Sequence, residues 1–377
     1  MDFIKLFKRK PDSSEEQCAV DSVDPIDIGS LGLVEGIGPP LKPDYRSLKI
    51  SLPEFLSKWK TFYPLEENVD SVIKKVEELK HLLWSMPMYK SENSDASQGR
   101  KWYKLWNVDP VEDIKITELE WCTDLLLFRY LRSYRYKVAQ AFVMLRKTLA
   151  WRRFKKLDSI NLKNVGVSNA NGMVYRKGYD KSGRPILYYR PRDEVDFDRD
   201  NQALLIFFTL EQATQTLLLS RGNDKIVVIV DLIGWSMSKI PTLELVIDTV
   251  RACSEHYTDL MHEVIILDPP MLMDPLMQMI KAVLDSSTAK KIVMKQRGPK
   301  LVEYLKNKID NSQIEESMGG ANKSRYNHEV YWTNESKEAL QCQQRAENWV
   351  KEHEAKWLER HKEQGSKESK VEESKVA

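Results

Sequence analysis

No stretch of this sequence stays apolar for the roughly 18 consecutive residues that a membrane-spanning helix needs. Neither sign of charge dominates. Lys and Arg number 58 and Asp and Glu 56, for a net charge of +2. That balance excludes a general nucleic-acid binder, which needs a large basic excess. Cysteine is scarce. Cys18, Cys122, Cys253 and Cys342 lie far apart with no C-x-x-C pair, so neither a disulfide framework nor a structural zinc site is expected. The opening MDFIKLFKRK has no continuous apolar core and is not read as a secretory signal. Its Phe3, Ile4, Leu6 and Phe7, set among Lys5, Lys8, Arg9 and Lys10, suit either an amphipathic foot on a membrane or a solubilising arm. These absences predict a cytoplasmic monomer, peripheral on membranes at most.

The motifs of common α/β enzymes are also missing. No G-x-G-x-x-G follows a strand-like run, and Gly319-Gly-Ala-Asn-Lys-Ser324 has the wrong spacing for a phosphate loop. Gly234-Trp-Ser-Met-Ser238 sits where a hydrolase nucleophile would, but Ser238 replaces the second glycine that lets such a turn pack closely. A hydrolase centred on Ser236 is therefore a minor reading. His353 and His361, eight residues apart, are too far along a helix to share a metal and are expected in solvent. No catalytic residue, cofactor or metal is expected.

What is present divides the chain. Residues 1–50, with GIGPPLKPD, read as a flexible arm. Residues 51–165 read as a helical domain. In it Val72, Ile73, Val76, Leu79, Leu82 and Leu83 mark one helix face, and a second block is expected to run from about Thr117 to Phe154. From 166 to 325 strands alternate with helices. Pro185–Tyr189 is β-rich, Ala203–Leu219 is helical, and Ile226–Val230 and Val264–Leu267 are strands buried on both faces. A helix from Asp274 to Leu284, a strand near Ile292 and a helix near Leu301 complete the pattern of a mainly parallel sheet with crossover helices. Residues 326–365 read as a charged helical extension carrying Trp349 and Trp357, and 366–377 as a disordered tail.

Methionine is concentrated. Met271, Met273, Met277 and Met279 fall within nine residues, extended by Leu276, Ile280, Val283 and Leu284. Thioethers are flexible and polarisable, and suit a surface that repacks against varied apolar partners. The stripe reads either as an ordinary core helix or as a lid over an apolar cavity.

Several segments occur in a telling order: FRYLRSYRYKVAQAFVMLRKTLAWRR (128–153), GRPILYYRP (183–191), VDLIGWSMS (230–238), EHYTDLMHEVIILDPP (255–270), LDSSTAKKI (284–292) and MGG (318–320). As an ordered set they resemble the CRAL-TRIO lipid-binding family, over about Glu118 to Gly320. RYNHEVYW (325–332) and the basic FKRK near the start look like the fungal phosphatidylinositol-transfer branch, some members of which also carry sterol. The resemblance implies an α/β fold in which a helical tripod precedes a sheet that floors a lipid pocket closed by a gate helix. The Met-rich stretch then falls on the gate. Ile226, Val228, Val230, Ile265 and Leu267 become the pocket floor.

The resemblance also implies a headgroup grip. Family members that transfer phosphatidylinositol hold it with a Thr and a Lys three residues apart and an acid before the second buried strand. The matching residues are Thr288, Lys291 and Asp259, with Arg135 nearby. An ammonium neutralises a phosphodiester, a hydroxyl hydrogen-bonds it, and a carboxylate accepts from inositol hydroxyls or orients the lysine. The chain departs from the family in three places. The acid is usually Glu, an arginine of the helical motif is Tyr134, and a second arginine is Leu260. Ile226 and Val228 stand where hydroxyl residues serve phosphatidylcholine, so that lipid is expected to be a poor cargo and a sterol a better second one. The expected partners are membrane lipids and surfaces. A lipid sensor that presents phosphoinositide to a kinase, without transferring it, is the alternative reading, favoured by the long charged helix near 336–363 with its exposed-type Trp349 and Trp357 turned to a partner.

Overall fold

The computed structural model describes residues 50–89, 108–193, 199–235, 243–270, 273–284 and 286–376. The expected arm (1–50) and amphipathic foot thus lie almost wholly outside the described residues, as do Ser236 and Met271.

The first half is helical. Helix α1 (Leu52–Trp59) is capped by Ser51, whose hydroxyl accepts from the Glu54 amide, and α2 (Val69–Trp84) by Asn68, whose side chain accepts from the Asp70 amide at 2.8 Å. The block expected between 117 and 154 is three helices, α3 (Ile116–Trp121), α4 (Asp124–Ser133) and α5 (Val138–Lys155). Thr123 caps α4 and so interrupts the run, and Arg135 and Tyr136 are both left-handed, which closes α4 before α5 can begin. Helix α6 (Leu162–Ser168) leads into the sheet.

The sheet has the order β1 (Val174–Tyr179), β2 (Pro185–Tyr189), β3 (Ile226–Asp231), β4 (Met261–Leu267), β5 (Ile292–Lys295). The first pair is antiparallel and joined by the Asp180–Gly183 turn; the other pairs are parallel. Helix α7 (Arg199–Thr214) links β2 to β3, α8 (Leu243–His256) links β3 to β4, and α9 (Met273–Val283) with α10 (Ser286–Lys290) links β4 to β5. The mainly parallel α/β sheet with crossover helices is as the periodicity predicted. Strand β1 escaped notice because Arg176 and Lys177 break its apolar run, yet both are buried there by ion pairs.

Register fixes the two faces of the sheet. Val230, Ile266 and Met294 stand side by side, as do Val228, Val264 and Ile292. Ile229, Ile265 and Val293 occupy the alternate face, because successive side chains point to opposite sides. Helix α11 (Pro299–Lys308) covers that alternate face, where its Tyr304 and Lys308 bind Glu263 of β4.

The MGG segment has a steric reason. Gly319 is left-handed (φ 85°), and a Cβ on Gly320 would lie 2.0 Å from the Ile314 carbonyl oxygen. Gly320→Ala is expected to lower stability by about 2–3 kcal/mol through the backbone shift it forces. Urea denaturation measures this, and an unchanged midpoint would show that the loop yields freely.

Helix α12 (His328–Val376) continues through the stretch expected to be disordered, in keeping with the helix propensity of its Lys and Glu residues. It is bolted to β1 by Arg176, whose guanidinium donates to Glu335 at 2.8 Å and to Glu338 at 2.5 Å. Further along it returns to the N-terminal helices. Arg360 donates to the Ser85 hydroxyl, His361 bonds the Met86 carbonyl, Trp349 lies against Trp84, and Trp357 is 6% exposed. The tryptophans expected to face a partner are thus spent on internal packing. His353 and His361, expected in solvent, are half-buried and bond the carbonyls of Trp349 and Trp357. Among the described residues no helix is long and apolar enough to cross a membrane.

Candidate functional site

The apolar part of the site lies between α9 and the sheet. Met273, Leu276, Met277 and Ile280 recur at helical spacing and face the sheet as one stripe. They pack with Leu232 and Ile266, bordered by Val230, Val264, Ile292 and Met294 from the strands, Val246 and Val250 from α8, and Trp235 and Leu284. This cluster is separate from the main core. Val283 is half-buried at the end of α9, and Met279, 38% exposed, points outward.

The expected floor needs correction. By register Val228 and Val230 share the face of Val264 and Ile266, and Val230, Val264 and Ile266 pack with α9, whereas Ile265 and Leu267 lie on the opposite face. Ile226 is fully buried in the main core, at a register irregularity. A continuous apolar run carries no period-2 signal, so sequence could not assign its faces.

The two faces also differ in coverage. Ile229, Ile265 and Leu267 are 1%, 0% and 0% exposed; Val230 and Val264 on the α9 side are half-buried, and so are Ile292, Val293 and Met294 on both faces of the edge strand β5.

The polar end adjoins this floor, because Lys291 immediately precedes Ile292. Lys291 donates to the Asp259 carboxylate at 2.9 Å, and its carbonyl accepts from the Val264 amide. The same carboxylate takes Lys225 at 2.7 Å and Arg132. Asp259 sits in a left-handed conformation (φ 49°), which Asp tolerates better than most residues. One layer deeper, Asp224 accepts from Arg132 at 3.0 Å and from the Trp59 indole at 3.2 Å, while Arg129 donates to its backbone carbonyl. Thr288 lies on α10 three residues before Lys291, and its carbonyl accepts from the Lys291 amide. Arg135 is not brought in; it is exposed in the turn after α4, and Arg132, one helical turn earlier, takes its place.

Burial pushes the Asp259 carboxyl up, but Arg132, Lys225 and Lys291 outweigh it and hold the group well below the ordinary carboxylate range. Burial, then the Arg132 charge, lowers Lys225 to about 8. His262 on β4 is lowered to about 3 by burial and by the Arg184, Lys308, Lys225 and Lys291 charges. The polar end is a crowd of cations.

Arg129, Arg132, Asp224 and Lys225 were missed from sequence. Their signal was available. Arg129 and Arg132 are three apart on α4 and so share a helix face, and Asp224-Lys225 directly precedes the first buried strand.

Residues 169–320 match the profile of the CRAL/TRIO domain. The chain carries a CRAL/TRIO domain. The domain takes in the sheet, α7 to α11, the Met-rich helix and the Asp259–Lys291 pair. Around it, the chain is similar to the phosphatidylinositol transfer protein PDR17 of Saccharomyces cerevisiae, with 25% identity over 224 residues, 56% of this chain and 61% of that protein. It is similar to the phosphatidylinositol transfer protein CSR1 of Eremothecium gossypii, with 28% identity over 226 residues, 55% of this chain and 49% of that protein. The chain thus matches only half to three-fifths of the length of these transfer proteins. The crystal structure of Sfh5 shares the fold at 16% identity and a TM-score of 0.50, covering 74% of this chain and 99% of that one.

Proposed function

We propose that this CRAL/TRIO protein moves phosphatidylinositol between membranes, one molecule at a time, without catalysing a reaction on it. What supports the reading is a separate apolar cluster beneath α9 that has a cationic end one residue away, at Ile292 and Lys291. The acyl chains lie between α9 and the gate-side face of β3–β5. The headgroup phosphate meets Lys291 and Arg132, with Thr288 beside them. Transfer to a dry site costs a phosphodiester its hydration, and only such partners offset that. Capture from water is driven by acyl burial, about 0.8 kcal/mol per CH2. Exchange with a bilayer is nearly balanced, so specificity rests on the headgroup. The outward Met279 of α9 is placed to touch the membrane surface, and the protein works as a peripheral visitor from the cytoplasm. A sterol is the second cargo, because Val228 offers the floor no hydroxyl.

The test is transfer of labelled phosphatidylinositol from donor to acceptor vesicles, together with mass spectrometry of the lipids carried by the purified protein. Co-purified phosphatidylinositol and saturable transfer are expected. Cargo consisting chiefly of phosphatidylcholine, or binding without exchange, would overturn the reading.

A further inference from the structure

The carboxylate of Asp259 already accepts from three cationic donors. Both carboxylate oxygens of Asp259 are taken, Oδ1 by Lys225 and Lys291 and Oδ2 by Arg132. At most one of the carboxylate's roughly four acceptor sites, on Oδ2, is left for an inositol hydroxyl. Yet the set around it is short of anions. Among the described residues, Arg129, Arg132, Lys225 and Lys291 form ion pairs only with Asp224 and Asp259. The buried Nη1 of Arg132 has no hydrogen-bond partner among the described residues. The layers are graded too. Asp224 is 1% exposed, whereas Asp259 and Lys291, at 20% and 21%, form the outermost pair. Only that pair can be parted without exposing the buried one.

We propose that Asp259 is a resident substitute for the lipid phosphate, and that Lys291 exchanges its carboxylate for the phosphodiester when lipid enters. This rests on the phosphatidylinositol reading above and changes the role of the acid within it. The carboxylate competes with the headgroup instead of reading its hydroxyls. It keeps the lysine and the arginine from repelling one another while the site holds no lipid. It also weakens the hold on the phosphate enough for release, because the carboxylate recaptures Lys291 as the lipid departs. A four-carbon lysine stem supplies the reach for such an exchange, which a fixed guanidinium fork would not. The competition is with phosphate, so it acts alike on any lipid carrying one.

Binding of two soluble short-chain lipids, dihexanoyl phosphatidylinositol and dihexanoyl phosphatidic acid, measured by calorimetry on the full chain, tests this. Asp259→Asn removes the competitor. It is expected to bind both lipids about three- to tenfold more tightly, as loss of a nearby like charge should, and to deliver phosphatidylinositol to acceptor vesicles more slowly. Asp259→Glu restores wild-type affinity. Weaker phosphatidylinositol binding with phosphatidic acid unchanged would mean that the carboxylate reads inositol hydroxyls, and would overturn the proposal. If Asp259→Asn does not fold, Lys225→Met with Asp259→Asn keeps the net charge of the set. The proposal then requires phosphatidic acid to bind at least as tightly as to wild type, and weaker binding refutes it. A wild-type protein that binds neither lipid would remove the carrier reading itself. A wild-type protein that binds, beside an Asp259→Asn protein that binds no better, would remove only the exchange role of Asp259.

Discussion

Lys291→Ala is expected to cut phosphatidylinositol transfer at least ~10-fold and up to ~100-fold, the range set by loss of a charge-assisted hydrogen bond of roughly 1.5–3 kcal/mol. Sterol uptake should survive, because the apolar floor does not involve the ammonium. The structure makes this substitution clean. Lys291 is at the outer edge of the charge cluster, and Asp259 keeps Lys225 and Arg132 after its removal. No buried carboxylate is left alone, so stability should change by no more than about 1 kcal/mol, as for a partly exposed pair. The measurement is parallel transfer of labelled phosphatidylinositol and labelled sterol, with a urea unfolding curve. Equal loss of both cargos would move Lys291 from headgroup recognition to folding or membrane docking.

Arg176→Ala should have the largest effect on stability, a loss of about 3–5 kcal/mol. Arg176 is completely buried, and its guanidinium is the counter-charge for Glu335, itself 1% exposed, and for Glu338. Its backbone amide also donates to the Tyr331 hydroxyl at 3.2 Å. Removing the guanidinium strands two carboxylates in the interior and unfastens α12 from β1. The cost comes from the stranded charges, so replacing the whole set should behave differently. Arg176→Met with Glu335→Leu and Glu338→Leu is expected to stay close to wild-type stability, since a well-packed apolar set offsets a buried ion triad. Unfolding in urea distinguishes the two. If Arg176→Ala unfolds like wild type, α12 is held by its other contacts, the tryptophans and the Arg360 and His361 bonds among them.

These two substitutions probe different kinds of ion pair. Around Asp259 the cations outnumber the carboxylates, and the outermost pair is accessible. Around Arg176 the guanidinium faces two buried carboxylates, with the Arg345 charge also near Glu338. The first arrangement can accept another anion. The second can only hold what it has, and it fastens a helix that lies beyond the CRAL/TRIO domain at 169–320. The lipid-sensor alternative relied on α12 presenting tryptophans outward. With Trp357 buried and Trp349 against Trp84, that feature no longer favours it.

The sequence by itself determined the alternation of strands and helices, because apolar period and unbroken β-branched runs are local properties. It also determined the apolar stripe at Met273, Leu276, Met277 and Ile280, since a helix face repeats within a few residues. Thr288, Lys291 and Asp259 were legible only through resemblance. Tertiary structure decided the rest. Which side of β4 faces the gate depends on register with β3, and an all-apolar strand reads the same from either face; hence Ile265 and Leu267 gave way to Val264 and Ile266. Arg132 rather than Arg135 reaches Asp259 because α4 ends in a left-handed turn that swings Arg135 into solvent. Strand β1 looked too charged to be buried until Glu335, 159 residues away, supplied the partner for Arg176. Local pattern fixes what each segment becomes, whereas the burial of a charge depends on a partner that only the folded chain brings near.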